Sequence, residues 1–246
     1  MNEQSDLLLI GLTFFLAGVV KGIVGLGLPT VSLGLLALFI DLPTAMALML
    51  VPSLVTNIWQ ATSGGFAVVI LSRIWPFLLA ATASIFVGAI ALVNGNPSLL
   101  LALLAVLLMF YAGIGLAGLK LSIQAQHRAS AGVVFGIANG VLTGMTGSFT
   151  VPGVIYLNAI GLDSRMLIQA MGILFTLSTV GLAIALQRYN LLSPQQMLIS
   201  SVGVLPALIG MLGGKTIRER MTEAQFKRVF FLALLVLGAV LMVKAV

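Results

Sequence analysis

Cysteine is absent from this sequence of 246 residues, and charged residues are scarce. Without cysteine, the chain has no disulfide, no thiolate metal site and no thiol nucleophile. Histidine occurs once, as His127 between Gln126 and Arg128, where we expect a solvated loop position. Only 7% of the residues are charged, whereas soluble domains carry roughly a quarter. Most of the protein surface must therefore face an apolar medium.

Long charge-free stretches separate the few charged residues. Several of them exceed the ~20 residues that a helix needs to span a bilayer. They cover residues 22–40, 42–72, 74–119, 129–162, 166–187 and 189–214. We therefore predict an all-α integral membrane protein that crosses the bilayer several times. We therefore expect the basic residues behind the net charge of +6 to set the orientation of the protein in the membrane, because basic loop residues have this role. They do not indicate nucleic-acid binding.

The sequence contains two copies of one unit. A gapless shift of 122 residues superposes Gly18 on Gly140, Gly22 on Gly144, Gly25 on Gly147, Asp41 on Asp163 and Gly88 on Gly210. Duplicated units are common in transporters. We expect a single transmembrane domain over residues 1–246, with a first repeat at about 7–120 and a second repeat at about 129–246.

Each repeat is predicted to begin with a glycine-rich segment, 7–40 or 129–162, followed by three simple helices. This gives about eight membrane segments, or more if the two arms of each first segment are counted separately. We place the simple helices at residues 43–62, 73–93, 98–119, 165–187, 194–214 and 225–244. A first segment would be about 50 Å long as one helix, which is too long for one crossing of ~30 Å and short for two.

Loop charges favour a first segment that returns to its starting side. If each first segment crosses once, five basic residues face six across the membrane. If each forms a broken hairpin that returns, nine face two, which is the asymmetry of the positive-inside rule. The two are Arg188 and Lys244, and the nine are Arg73, Lys120, Arg128, Arg165, Lys215, Arg218, Arg220, Lys227 and Arg228. We therefore predict inverted halves with both termini outside; re-entrant hairpins and pairs of short full spans remain alternatives.

Glycine and proline recur at matching positions of the two first segments. The first copy reads Gly18-x3-Gly22-x2-Gly25-x-Gly27-x-Pro29, and the second reads Gly140-x3-Gly144-x2-Gly147 with Pro152 after it. Over nearly the whole chain, this duplicated signature resembles the TauE/SafE family of sulfite and organosulfonate exporters. The resemblance implies a multi-pass carrier of the bacterial inner membrane that moves small sulfur oxyanions or sulfonates, mostly outward.

The glycine-rich breaks are candidate anion sites. A break exposes backbone groups that need partners in lipid, and a half-helix N-terminus offers free N–H donors and a positive dipole end. With inverted halves, we expect the breaks at 21–29 and 143–151 to meet near the bilayer midplane. The alternative is that the glycines only permit close helix packing. The predicted substrate-binding residues are Lys21, Gly22, Gly25, Gly27, Asn57, Asn139, Thr143, Gly144, Thr146, Gly147 and Ser148.

Lys21 is the charged residue that we expect at this site. It lies within an otherwise apolar segment, and an ammonium inside a membrane costs roughly 3 kcal/mol or more. We expect Lys21 to hold the anion near the tip of the first hairpin, and snorkelling to an interface is the alternative. Its repeat equivalent is Thr143, so a charge-based site is asymmetric. Asp41 and Asp163 precede helix starts, where we expect helix capping, with proton coupling as the alternative.

A secondary transporter that exports a small anion is therefore the leading hypothesis. The alternatives are an anion channel or uniporter for another small carboxylate or sulfonate, and an accessory membrane subunit with no transport of its own. We do not expect an enzyme, because the predicted spans hold no His, Cys, Asp or Glu for catalysis. No cofactor, metal or nucleic-acid partner is expected. The identity of the anion, the coupling ion and the formation of homo-oligomers stay open.

Overall fold

The structure, a computed structural model, describes residues 3–119, 121–218 and 223–246, and every regular element in these ranges is helical. Eight helical segments within them are long and apolar enough to cross a membrane, with α9 and α10 counted as one. The α-helices are α1 (Glu3–Val24), α2 (Leu28–Leu36), α3 (Leu42–Thr62), α4 (Ala67–Asn94), α5 (Pro97–Ala117), α6 (Arg128–Thr146), α7 (Gly153–Ala159), α8 (Ser164–Arg188), α9 (Pro194–Val202), α10 (Val204–Arg218) and α11 (Glu223–Ala245), and a short 3-10 helix covers Ala125–His127.

The predicted simple helices are present with shifted ends. Helix α4 begins at Ala67, earlier than the predicted start at residue 73, because the exposed Arg73 lies inside the helix and not in a loop. The predicted helix 194–214 is divided at Gly203 into α9 and α10. Lys120 and Arg220, two of the nine basic residues in the orientation argument, lie outside the described residues.

The second glycine-rich segment, α6 and α7 with residues 147–152 between them, is a hairpin. The hydroxyl of Tyr156 on α7 donates to the carbonyl of Arg128 at the start of α6 (3.0 Å). The N–H of Ile123, which precedes α6, donates to the carbonyl of Ala159 at the end of α7 (2.9 Å). The chain therefore returns to the side of the bundle on which α6 begins.

The first glycine-rich segment consists of α1 and α2, which flank residues 25–27. Helix α2 runs alongside α11 in the same direction. Gly27 lies against Phe230, Gly34 against Leu237, and the carbonyls of Ala37 and Leu38 after α2 accept hydrogen bonds from Lys244 (2.9 and 3.1 Å). This packing fixes the second arm of the first segment along the last helix of the chain.

Matching helices of the two repeats run antiparallel where they pack. On α5 and α11, Gly115 lies against Phe231 and Met109 lies against Gly238, so residue numbers rise on one helix as they fall on the other. The end of α3 likewise meets the start of α8, where the side-chain amide of Gln60 donates to the carbonyl of Ile168 (2.7 Å). A single crossing by each first segment would make α5 and α11 parallel.

The first helix of each repeat packs against the second simple helix of the other repeat. Helix α1 therefore contacts α10, and α6 contacts α4. A Cβ on Gly18 would lie 2.2 Å from the carbonyl oxygen of Ala207, and a Cβ on Gly140 would lie 2.1 Å from that of Ala81. These backbones are too close for any larger residue, which is the usual role of small residues between membrane helices.

These contacts correct the sequence register of the repeats. Gly88 on α4 faces Gly144, and Gly214 on α10 faces Gly22, so Gly88 corresponds to Gly214 and not to Gly210. The gapless shift of 122 residues therefore aligns α4 with α10 one helical turn out of register. The physical reason is a difference in helix length, because α8 has 25 residues and its counterpart α3 has 21.

Candidate functional site

Two matching glycine turns end the first helix of each repeat. The N–H of Gly25 donates to the carbonyl of Lys21 (2.8 Å), and the N–H of Gly147 donates to the carbonyl of Thr143 (2.7 Å). The two glycines have φ angles of 79° and 74°, a left-handed conformation that favours glycine at the end of a helix. Lys21 and Thr143 therefore occupy the same place in the last turn of α1 and α6.

Lys21 is buried between α1 and α3. Its side chain is 3% exposed, and its ammonium donates to the hydroxyl of Thr56 (3.3 Å) and to the amide oxygen of Asn57. The amide nitrogen of Asn57 and the hydroxyl of Ser53, one turn earlier on α3, have no hydrogen-bond partner among the described residues. We call these four residues the lysine cluster: Lys21, Ser53, Thr56 and Asn57. Because Lys21 points at α3, the structure does not support snorkelling to an interface.

No carboxylate neutralises the lysine cluster within the described part of the chain. The two carboxylates whose side chains the structure describes, Asp41 and Asp163, are exposed. Asp41 accepts from the N–H of Thr44 (2.9 Å), and Asp163 accepts from the N–H groups of Arg165 (3.0 Å) and Met166 (2.9 Å). Their predicted helix-capping role is confirmed, and the ammonium of Lys21 is the one full charge in the described buried set.

Helix α3 is held in place around the cluster by two polar side chains. Pro52 has no N–H, so the carbonyl of Leu48 loses its helical partner. The hydroxyl of Ser200 on α9 donates to that carbonyl (2.6 Å) and accepts from the N–H of Val51 (3.1 Å). The amide nitrogen of Gln60 donates to the carbonyl of Gly25 (2.7 Å), which ties the first glycine turn to α3.

The second repeat forms a neutral polar cluster at the matching place. The hydroxyl of Thr143 donates to the carbonyl of Ser148 (2.9 Å), and the N–H of Ser148 donates to the hydroxyl of Thr146 (3.3 Å). The side-chain oxygen of Asn139 accepts from the N–H of Gly153 at the start of α7 (2.9 Å). The amide nitrogen of Asn139 and the hydroxyl of Ser148 are buried without a partner among the described residues. We call this group the neutral cluster: Asn139, Thr143, Thr146 and Ser148.

The two glycine turns lie beside different parts of α3. Gly147 packs against Met46 and Met49, whereas the first turn lies at Asn57 and Gln60, about ten residues or about 15 Å further along the helix. The expectation that the two glycine turns meet is therefore wrong, because each hairpin extends past the other. The two hairpins do meet at a threonine that follows each turn. Thr30 on α2 and Thr150 share a hydrogen bond between their hydroxyls, and both side chains are buried.

The predicted glycines Gly22, Gly144 and Gly27 also have packing contacts. A Cβ on Gly22 would lie 2.2 Å from the carbonyl oxygen of Met211, and a Cβ on Gly144 would lie 2.1 Å from that of Ile85. Gly27, with a φ angle of 108°, precedes α2 and lies against Phe230. Close helix packing, the alternative reading of the glycines, therefore describes Gly22 and Gly144, whereas their contact with a substrate stays a prediction.

Several further buried polar residues in the described part of the chain do not follow from the glycine and proline motif. They are Thr30, Ser53, Thr56, Gln60, Ser178 and Thr179. The gapless shift of 122 residues superposes residues 56–57 on 178–179, so the sequence contains a signal for Ser178 and Thr179 on α8. Thr30 and Gln60 have no such signal, because their partners are set by the paths of the hairpins.

A bundle of membrane-crossing helices with two broken hairpins and buried polar clusters is the architecture of a membrane transport protein. The chain matches the family model described as "Sulfite exporter TauE/SafE" over residues 10–241. It belongs to this family, which confirms the resemblance found in the sequence, and it is a multi-pass membrane protein of a transporter family. Comparisons with curated proteins and with solved structures find no match.

Proposed function

We propose that this protein is a secondary transporter that exports a small sulfur oxyanion or organosulfonate, such as sulfite, across the bacterial inner membrane. The observation that carries the proposal is the buried ammonium of Lys21, which has no carboxylate partner among the described residues. A buried charge without a counter-ion costs several kcal/mol, so the lysine cluster is stabilised by an anion. Family membership supports a sulfur oxyanion as the class of substrate.

The unpartnered donors of the lysine cluster complete the proposed site. The amide nitrogen of Asn57 and the hydroxyl of Ser53 lie on the same face of α3 as the acceptors of Lys21. They donate to the oxygen atoms of an anion without adding a second charge. A site with one charge and several neutral donors binds an anion and still lets it leave.

The proposed pathway follows α3 from the lysine cluster to the neutral cluster. The buried contact between Thr30 and Thr150 lies where the two hairpins meet, and we assign it the role of separating the two clusters. The neutral cluster offers the unpartnered groups of Asn139 and Ser148 as the next hydrogen-bond donors. Its lack of a full charge favours release of the anion on that side.

The direction of transport follows from the proposed membrane orientation. The antiparallel contacts of α5 with α11 and of α3 with α8 support inverted halves. The distribution of the basic loop residues then favours an orientation with both termini outside. This orientation places the lysine cluster towards the cytoplasm. One negative charge that leaves an inside-negative cell gains about 2.3 kcal/mol per 100 mV. A reporter fused to the C-terminus should therefore be active outside the cytoplasm, and cytoplasmic activity would overturn this orientation.

Flux through the purified chain alone tests the proposed function. Proteoliposomes that contain only this protein are loaded with sulfite, sulfate, thiosulfate, sulfoacetate or taurine, and the initial rate of release is compared with that of empty vesicles. We expect saturable release of at least one sulfur anion. Silence towards all five would overturn the proposal and would favour an accessory subunit, since such a subunit does not transport by itself.

A further inference from the structure

We infer that the lysine cluster selects substrates by charge. It takes monovalent sulfur oxyanions, namely hydrogensulfite and simple organosulfonates, and it rejects divalent ones such as sulfate. This inference rests on the proposed function and narrows its substrate class from anions to monoanions.

The charge inventory around Lys21 supports a site for one negative charge. No Asp or Glu occurs in residues 7–40, 42–62 and 204–218, which cover most of α1 and all of α2, α3 and α10. Asp163, which caps the neighbouring helix α8, is exposed. The polar groups that face its ammonium from α3, those of Thr56 and Asn57, are neutral. Further cations on the neighbouring helices are exposed, namely Lys215 and Arg218 at the end of α10, Arg165 at the start of α8, and Lys227 and Arg228 near the start of α11. The buried site therefore carries a single positive charge.

A monoanion makes the occupied cluster neutral, whereas a dianion leaves one uncompensated negative charge inside the membrane. The unpartnered donors of Asn57 and Ser53 bind oxygen atoms of either anion, but they cannot neutralise the second charge. Because an uncompensated buried charge is strongly unfavourable, we expect monoanions to bind on the order of 100-fold more tightly than dianions of the same shape. A zwitterion such as taurine would bring a second ammonium close to Lys21, and we expect it to bind weakly.

Competition with sulfite measures this selectivity in a matched pair of ligands. Methanesulfonate and sulfate are both tetrahedral at sulfur and similar in size, but they carry one and two negative charges. Sulfite release from proteoliposomes is followed at mildly acidic pH, where hydrogensulfite predominates, with either competitor present. We expect methanesulfonate to halve the rate at a concentration about 100-fold lower than sulfate does. Equal inhibition by sulfate, or no inhibition by methanesulfonate, would overturn the inference.

The pH dependence of the two fluxes separates the charge of the substrate from that of the protein. Sulfite acquires its second negative charge as the pH rises through neutrality, whereas methanesulfonate keeps one charge. We expect the release of sulfite to fall as the pH rises and the inhibition constant of methanesulfonate to stay unchanged. If both weaken in parallel, the protein and not the substrate is titrating, and selection by substrate charge is wrong.

The outcomes for this inference and for the proposed function are distinct. If the protein moves no sulfite at any pH, the proposed function fails and the inference fails with it. If it moves sulfite and sulfate competes as well as methanesulfonate, the transport function stands and only the charge selection is wrong.

Discussion

Replacement of Gly214 by alanine is expected to destabilise the protein, whereas the same change at the neighbouring Gly213 is not. A Cβ on Gly214 would lie 2.3 Å from the carbonyl oxygen of Val19 on α1, and a Cβ on Gly213 would have no atom within 4 Å. Ordinary contact begins at 3.4 Å, and the opposing atom belongs to the backbone and cannot rotate away. In Gly214→Ala, α1 and α10 must therefore separate by about 1 Å.

The structure sets the size of this effect. Overpacking costs typically about 1–3 kcal/mol, and a gap of about 1 Å loses up to about half of each dispersion contact along the interface. Alanine in place of glycine returns up to about 1 kcal/mol of helix propensity at either position. We therefore expect Gly214→Ala to lose about 1–2 kcal/mol of unfolding free energy and Gly213→Ala to gain up to about 1 kcal/mol.

Unfolding of the purified variants in detergent, by heat or by denaturant, measures the difference. Gly213→Ala is the matched control, because the two positions are adjacent on the same helix and only one of them faces α1. If the two variants are equally stable, the close contact of α1 and α10 is wrong. The register that pairs Gly88 with Gly214 would then be wrong as well.

Two further predictions concern the contact between the hairpins and the support of α3. In the cysteine-free chain, oxidation of the double variant Thr30→Cys and Thr150→Cys should form a disulfide that locks the contact between the two clusters, stop sulfite release and be reversed by a reductant. Full flux in the oxidised protein would contradict the proposal that this contact separates the two clusters on the transport pathway. Ser200→Ala should lose about 1–3 kcal/mol of unfolding free energy, because the carbonyl of Leu48 loses its partner. Ser201→Ala, an exposed neighbour bonded within its own helix, is the control, and equal stability of the two would contradict the role of Ser200.

Much of the fold could be predicted from the sequence, because composition and helix length leave a membrane chain few choices. The simple helices are confirmed with shifted ends, and the family resemblance is confirmed over most of the chain. Helix α4 begins earlier than the sequence predicts because a basic residue does not always mark a loop, and Arg73 lies on the exposed face of this helix. The inverted orientation stays a prediction, supported by the antiparallel contacts of α5 and α11.

The candidate site was predictable only in part. Lys21 and Asn57 are far apart in the sequence, which predicts both of them at the site, and the structure places them in contact. Glycine spacing does not separate helix packing from helix breaks, because both need small residues. The spacing therefore predicts Gly22 at the site, although Gly22 faces α10. A gapless comparison could not detect the extra turn of α8. Nor could it show that Thr30 meets Thr150, since that contact depends on how the hairpins pass each other.

Sulfite release by Lys21→Met tests most directly the central claim that the buried ammonium of Lys21 binds the transported anion. Methionine has a similar volume, and replacing a buried charge by an apolar side chain is often neutral or stabilising, so the variant should fold, which thermal unfolding verifies. Lys244→Met is the control, because Lys244 donates to the carbonyls of Ala37 and Leu38, away from the lysine cluster. We predict that Lys21→Met releases sulfite on the order of 100-fold more slowly than the unaltered protein, while Lys244→Met stays near it. Undiminished release by a folded Lys21→Met would contradict the account.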